Sequence, residues 1–103
     1  PVCNDNGFVE REENIAMRIK RFIRKITSAN NSQVFIIQTS SHIANYIYKY
    51  LDDWQEEFQR KIFIAAMNNF HWGKFRLEYQ GDLKGAEAHA KNMRNQGIKI
   101  FRL

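Results

Sequence analysis

The stretch Val34-Phe35-Ile36-Ile37-Gln38-Thr39 predicts the strand around which the fold is organised. Four consecutive β-branched or aromatic residues follow the polar run Asn30-Asn31-Ser32. A strand with one wet face alternates apolar and polar residues, whereas an unbroken apolar run is typical of a strand covered on both faces. We therefore expect residues 34–39 in the middle of a sheet, with other elements packed against them.

An aromatic-rich segment with helical spacing follows this strand. Thr39-Ser40-Ser41 supplies N-cap residues, and the apolar positions are Ile43, Ile47, Tyr50 or Leu51, Trp54, Phe58, Ile62 and Ala65. One straight helix of this length would measure about 40 Å, too long for a domain whose radius of gyration is about 13 Å. We expect a break at Asp52-Asp53, with Asp53 capping a second helix. A single long helix that projects, or that pairs with a partner's copy, is the alternative.

The N-terminal part predicts a flexible lead-in over residues 1–7 and a helix over about 8–28. Ile15, Ile19, Phe22, Ile23 and Ile26 form one apolar stripe. Arg18, Arg21 and Lys25 form the opposite face, which suits a helix laid along a phosphate backbone. The helix macrodipole offers an alternative explanation, because acidic residues occupy the first turns and cations the last.

The C-terminal part predicts strand, helix and strand. Residues 74–79 alternate, with Phe75, Leu77 and Tyr79 on one face. Asp82 is the expected N-cap of a helix over about 83–96, Gly97 the C′ residue that follows its C-cap, and residues 98–103 the last strand. This pattern predicts a βαβ unit with parallel pairing. The fold class is α+β (mixed α/β), with a sheet of about three strands packed by about four helices.

Composition favours one soluble domain over residues 1–103. Hydrophobic residues make up 44% of the 103 residues, and the single cysteine, Cys3, excludes an intrachain disulfide. The longest aliphatic run, Ile62 to Met67, is too short to span a bilayer, and no signal peptide is visible near Pro1. We expect a cytoplasmic protein with no membrane association.

The net charge of +5 points towards a polyanionic partner such as nucleic acid. Residues 1–32 hold six Lys/Arg against four acids, residues 33–69 three against four, and residues 70–103 seven against three. The excess therefore lies at the two ends of the chain. The predicted nucleic-acid-binding residues are Arg18, Arg21, Lys25, Lys74, Arg76, Lys99 and Arg102. For the strand cations, the alternative is that they only keep a sheet edge from pairing with another chain.

Aromatic residues predict a second kind of surface. Tyr46, Tyr48 and Tyr50 alternate within a helical segment, so at least one should reach solvent. Tyr46, Tyr50 and Trp54 are the candidate partner-binding residues of a protein–protein interaction module. The partner would be a second copy or a larger acidic protein that this chain inhibits. The alternative is that these rings belong to the core.

Catalytic and metal-binding signals are weak. His42, His71 and His89 lack the spacing of zinc ligands, and no phosphate-binding glycine loop or nucleophile elbow is present. His71 as general base of a phosphodiester-cleaving site is a third hypothesis. We expect no cofactor and no catalytic activity. The leading prediction is a small basic nucleic-acid-binding or nucleic-acid-associated regulatory domain.

Overall fold

The chain folds into a four-stranded sheet with helices on both faces. The computed structural model describes residues 10–103, so the predicted lead-in over residues 1–7 and Cys3 lie outside the described part. The helices are α1 (Glu12–Ala29), α2 (Ser41–Ile47), α3 (Leu51–Phe58) and α4 (Leu83–Asn95), with a 3-10 turn at Tyr48–Tyr50. The strands are β1 (Val34–Ser40), β2 (Lys61–Met67), β3 (Phe75–Gly81) and β4 (Lys99–Phe101).

Strand β1 lies in the central pair of the sheet, whose order is β3-β1-β2-β4. It pairs with β2 in parallel, from Val34 opposite Lys61 to Ser40 opposite Met67. The outer strands are antiparallel to their neighbours, β3 to β1 and β4 to β2. Every residue of β1 is buried. The prediction of a central strand covered on both faces is confirmed.

Two hydrophobic clusters, one on each face of the sheet, form the core. The larger cluster joins the inward residues of α1, α2 and α3 to one face, and includes Ile15, Ile19, Ile23, Phe35, Ile37, Ile43, Trp54, Ile62 and Phe101. The smaller joins α4 to the other face through Val34, Ile36, Phe63, Ala65, Ala86, Ala90 and Met93. Small residues on α4 allow the helix to approach the sheet closely.

The prediction that the aromatic segment stays helical as far as Ala65 is wrong. Helix α3 ends at Phe58, and Gln59 takes a left-handed conformation with φ 53° that stops the helix. Residues 62–66 then form the fully buried part of strand β2. Apolar residues spaced four apart suit a helix, but the unbroken apolar run also suits a strand covered on both faces, and the tertiary environment selects the strand.

The predicted helix break lies earlier than expected. The 3-10 turn at Tyr48–Tyr50 separates α2 from α3, whereas Asp52 and Asp53 lie inside the first turn of α3. Two caps are confirmed: the side chain of Ser40 accepts a hydrogen bond from the Ile43 amide, and that of Asp82 accepts one from the Gly85 amide. Gly97, with φ 85°, follows α4 as predicted.

The C-terminal strands do not pair with each other, which corrects the predicted parallel βαβ unit and the three-strand count. Strands β3 and β4 run in the same direction but lie at opposite edges, with β1 and β2 between them. The buried central pair needs covered positions on both faces, which leaves the alternating β3 and the short β4 for the edges. The parallel connection belongs instead to β1, α2, α3 and β2.

A bulge in β3 changes which side chains share a face. Ile36 pairs with Tyr79 but Ile37 pairs with Leu77, so Glu78 is an extra residue. Leu77 packs with the α1 side of the core, whereas Tyr79 packs with the α4 side. The prediction that Phe75, Leu77 and Tyr79 share one face therefore holds for the first two only.

The guanidinium of Arg60 ties the ends of several elements together. It donates hydrogen bonds to the carbonyls of Ser32 (2.9 Å), Phe58 (2.9 Å), Asn30 (3.1 Å) and Thr27 (3.3 Å). These carbonyls belong to the end of α1, the end of α3 and the segment that leads into β1. Helix C-termini leave carbonyls without intrahelical partners, and one rigid planar cation satisfies them here.

Replacing Arg60 with Ala should therefore lower the free energy of unfolding by about 2 kcal/mol or more, because several part-buried carbonyls lose their donor. Arg60→Lys should recover only part of this, since an ammonium cannot form the same fork. Urea denaturation measures both. The control is Lys61→Ala, an exposed neighbour that should change stability by less than about 0.5 kcal/mol. An Arg60→Ala variant as stable as this control would contradict the assignment.

Candidate nucleic-acid interface

The predicted cations of α1 differ in how freely they reach solvent. Arg18 donates two hydrogen bonds to the Glu10 carboxylate, at 2.8 and 3.0 Å, and its guanidinium lies 5.5 Å from the centre of the Phe75 ring. Arg21 and Lys25 are exposed and form no ion pair within residues 10–103. Arg18 thus attaches α1 to strand β3, whereas the other two remain available to an external anion.

The predicted cations of the C-terminal part each lie beside a ring or a polar side chain. Lys74 is 4.4 Å from the Phe70 ring centre, Lys99 4.7 Å from that of Phe101, and Arg102 4.5 Å from that of Phe63. Arg102 also pairs with Glu87 of α4. Arg76 donates to the buried Gln38 side chain at 2.6 Å and to Glu78 at 3.1 Å.

The sheet divides the seven predicted cations between its two faces. Arg18 lies on the α1 side, because it contacts Phe75 of the larger cluster. Arg76 and Arg102 lie on the α4 side, because they contact Glu78, which α4 binds, and Phe63 of the smaller cluster. The structure therefore does not bring these seven residues into one surface.

Charge differs strongly between the two layers. Residues 10–58, which hold α1, β1, α2 and α3, carry seven Lys/Arg and seven Asp/Glu. Residues 74–103, which hold β3, α4 and β4, carry seven Lys/Arg and three Asp/Glu. The acids of the first layer neutralise its cations, as Glu57 does for Lys20 at 3.0 Å and Arg24 at 3.1 Å. Four of the six excess cations of the described chain therefore lie in residues 74–103, and the other two are Arg60 and Lys61.

Helix α4 supplies three cations that were not among the predicted nucleic-acid-binding residues. Lys84, Lys91 and Arg94 are exposed and form no ion pair in the part of the chain that the structure describes. Ala86, Ala90 and Met93 mark the buried side of this helix, so the three cations lie away from it. The same periodicity that identified the buried stripe also gives the outward positions, and it was sufficient to find them.

A polar network joins α4 to strand β3 beside these cations. The His89 ring nitrogen lies 2.9 Å from the Glu78 carboxylate, which also accepts from Arg76. Burial raises the pKa of Glu78, but hydrogen bonds and charge from His89 and Arg76 outweigh this, so the pKa lies below its usual value. The bulge at Glu78 directs the carboxylate towards α4. The network fixes Arg76 near the cationic side of α4.

The predicted partner-binding aromatics do come together. The ring centres of Tyr46 and Tyr50 are 5.9 Å apart, and those of Tyr50 and Trp54 are 6.0 Å apart. Trp54 is buried and the two tyrosines are half-buried, so most of the row packs against the core, whereas Tyr48 is exposed. Two effects raise the pKa of Tyr46 to about 12: chiefly a hydrogen bond with Tyr50 and, to a smaller extent, removal of the hydroxyl from solvent. Binding of a partner at this row stays a prediction.

The other two histidines, His71 and His42, differ in their contacts. His71 is exposed in the segment between β2 and β3, and no side-chain hydrogen bond or ion pair of His71 occurs within residues 10–103. His42 stacks on Trp72 at 4.3 Å and lies 2.9 Å from Glu12. No group of three or more His, Cys, Asp or Glu in the described chain is placed to hold a metal ion. None of the described helices is long and apolar enough to cross a membrane.

Comparison with known proteins finds no matching family model, no matching curated protein and no matching solved structure. The fold and surface define a small α+β domain with a mixed four-stranded sheet and one cationic layer.

The Glu78 network predicts a specific loss of stability in acid. A carboxylate whose pKa is depressed by folding stabilises the native state above its unfolded-state value near 4.5, and this contribution is lost as the pH falls through the folded-state pKa. The difference in unfolding free energy between wild type and Glu78→Gln should therefore shrink from about pH 6 to about pH 3. Urea titrations at several pH values measure it.

Gln80→Ala is the matched control on the same strand, because it removes no titratable group. Its effect on unfolding should stay constant over this pH range. A Glu78→Gln difference that does not change with pH would contradict the assignment.

Proposed function

We propose that this domain binds the phosphate backbone of nucleic acid through the outer side of α4, in a non-catalytic, regulatory role. The observation that carries the proposal is the set of exposed cations on the outer side of α4, where Lys84, Lys91 and Arg94 form no ion pair within the described residues. Unneutralised cations release counterions from a phosphate backbone when they bind, which supplies most of the sequence-independent affinity.

The spacing of these cations suits a duplex or an extended strand. Lys84 and Arg94 are ten residues apart, which corresponds to about 15 Å along a helix axis. The major groove of B-DNA is about 12 Å wide, so α4 laid across it reaches phosphates on both sides. Ala88 and Asn92 are also exposed on α4, and neither carries a negative charge that would repel phosphate.

The acids of this layer are already occupied. Glu87 pairs with Arg102, Glu78 binds His89 and Arg76, and the Asp82 side chain caps α4. An approaching polyanion therefore meets cations whose charge is not cancelled by a free carboxylate close by. By contrast, the α1 layer presents equal numbers of acids and bases, which weakens its attraction for phosphate.

A salt series tests the proposal with fluorescent single-stranded and duplex oligonucleotides. Wild type should lose affinity steeply with salt. The double charge reversal Lys91→Glu/Arg94→Glu should reduce the magnitude of the slope of log K against log salt by about 2, because each phosphate contact on a duplex contributes roughly 0.9 to that slope. Fluorescence anisotropy measures the affinity. Circular dichroism should show an unchanged fold, because both side chains are exposed.

Arg21→Glu/Lys25→Glu is the matched control. It changes the net charge by the same amount on the other side of the sheet, and both of its residues were predicted from the sequence to bind nucleic acid. For an oligonucleotide short enough to contact a single protein molecule, we expect a much smaller effect on slope and affinity. Equal losses in both variants would show that net charge alone attracts the oligonucleotide, and a larger loss in the control would move the site to α1. Absence of wild-type binding at low salt would overturn the proposed function.

A further inference from the structure

Met17 is a large apolar side chain on the solvent side of α1. It is 58% exposed, although its neighbour Ala16 and the nearby Ile19 are buried. Exposed single hydrophobic residues are common, so exposure alone indicates nothing. Met17 differs from such isolated residues because an apolar groove lies beside it and charges of opposite sign flank it on α1.

A mainly apolar groove of about 210 Å³ lies directly beside Met17. Met17, Ala16, Tyr50 and Trp54 line it together with the charged residues Glu13 and Lys20. The groove continues the aromatic row of Tyr46, Tyr50 and Trp54 onto the surface. A protruding apolar side chain thus lies beside an apolar recess formed by α1, the 3-10 turn and α3, which is the arrangement that a self-complementary contact needs.

The charges around Met17 are arranged with opposite signs. Glu13 lies four residues before it and Arg21 four residues after it. Lys20 pairs with Glu57 at 3.0 Å. Within residues 10–103, Arg21 forms no ion pair and Glu13 pairs only with Arg11, at 3.6 Å. The helix macrodipole explains acids before bases, but it does not explain an exposed methionine midway between them.

We propose that two copies of this chain associate through α1, antiparallel, about a two-fold axis near Met17. In this arrangement residue 13 of one copy faces residue 21 of the other, because both are four residues from the axis. The Glu13–Arg21 pair therefore forms twice, and each Met17 enters the groove of the partner. Two-fold symmetry makes every such contact reciprocal, so one patch serves both copies.

A second copy fits better than an unrelated partner because the patch complements itself in both shape and charge. An unrelated acidic protein would match Arg21 but would be repelled by Glu13, and it would not require the equal spacing about Met17. The proposal does not depend on nucleic-acid binding, since α1 and α4 lie on opposite faces of the sheet.

Sedimentation velocity over a range of protein concentrations tests the proposal. Wild type should pass from monomer to dimer with increasing concentration, and Met17→Glu should remain monomeric. Leu83→Glu is the control, because Leu83 is also an exposed apolar residue, at 38%, but lies on α4. It should dimerise as wild type does. Loss of dimer in both variants, or in neither, would overturn the proposal.

Charge exchange tests the orientation of the two helices. Glu13→Arg and Arg21→Glu should each weaken association by about tenfold or more, because each places like charges opposite one another twice. The double variant Glu13→Arg/Arg21→Glu should restore association. A double variant as weak as the singles would exclude the antiparallel arrangement, and a wild type that stays monomeric at about 1 mM would exclude the dimer.

Binding of a short oligonucleotide separates this inference from the proposed function. Met17→Glu leaves every cation in place, so its affinity for an oligonucleotide short enough to contact one copy should equal that of wild type. A fall in that affinity would show that the α1 surface itself contacts nucleic acid and would overturn the assignment of this surface to a second copy.

Discussion

The parallel pairing of β1 with β2 is the constraint on which the rest of the structure depends. Seven consecutive residue pairs join the two strands, and β1 is buried along its whole length. A parallel pair cannot be closed by a tight turn, so the chain must cross over, here through α2 and α3. Strands buried on both faces also need a second covering layer, which α4 supplies.

This constraint also separates the surface into two chemically different layers. Three helices cover one face, and residues 10–58, which contain them, hold equal numbers of acids and bases. A single helix covers the other, and its small inward residues Ala86 and Ala90 allow close packing. The outer side of α4 is then the main surface of that layer, so its cations dominate the electrostatic field there. The charge difference between the layers follows from which segments the core assigns to which face.

Patterns that depend on near neighbours were predictable from the sequence. The unbroken apolar run of β1, the stripe of α1 and the caps at Ser40, Asp82 and Gly97 each express a local physical requirement. Strand β2 was not predictable in the same way, because residues 62–66 satisfy helical spacing and a buried run equally well. The conformation of Gln59 and the pairing with β1 decide between them, and the pairing is a long-range event.

The candidate surface was predictable only in part, for a related reason. The sequence shows that the C-terminal segment is basic, but grouping Arg18 with Arg76 requires knowing which side of the sheet each occupies. The bulge at Glu78 also changes which β3 side chains face α4, and no local sequence pattern predicts this bulge. By contrast, the contact between Tyr46, Tyr50 and Trp54 follows from four-residue spacing, which two helices and a short turn preserve.

The two proposed surfaces are compatible because the sheet stands between them. Association through α1 would cover the neutral layer and leave α4 of each copy exposed on the outside of the dimer. A long polyanion could then engage both copies, and the second contact would form at the high effective concentration that a linked site provides. Weak phosphate binding by one α4 would thereby become tighter binding by the pair, without any base-specific contact. Such an assembly requires a neutral layer on the side of α1 and a cationic layer on the side of α4. An excess of like charge on α1 would oppose the contact between the two copies.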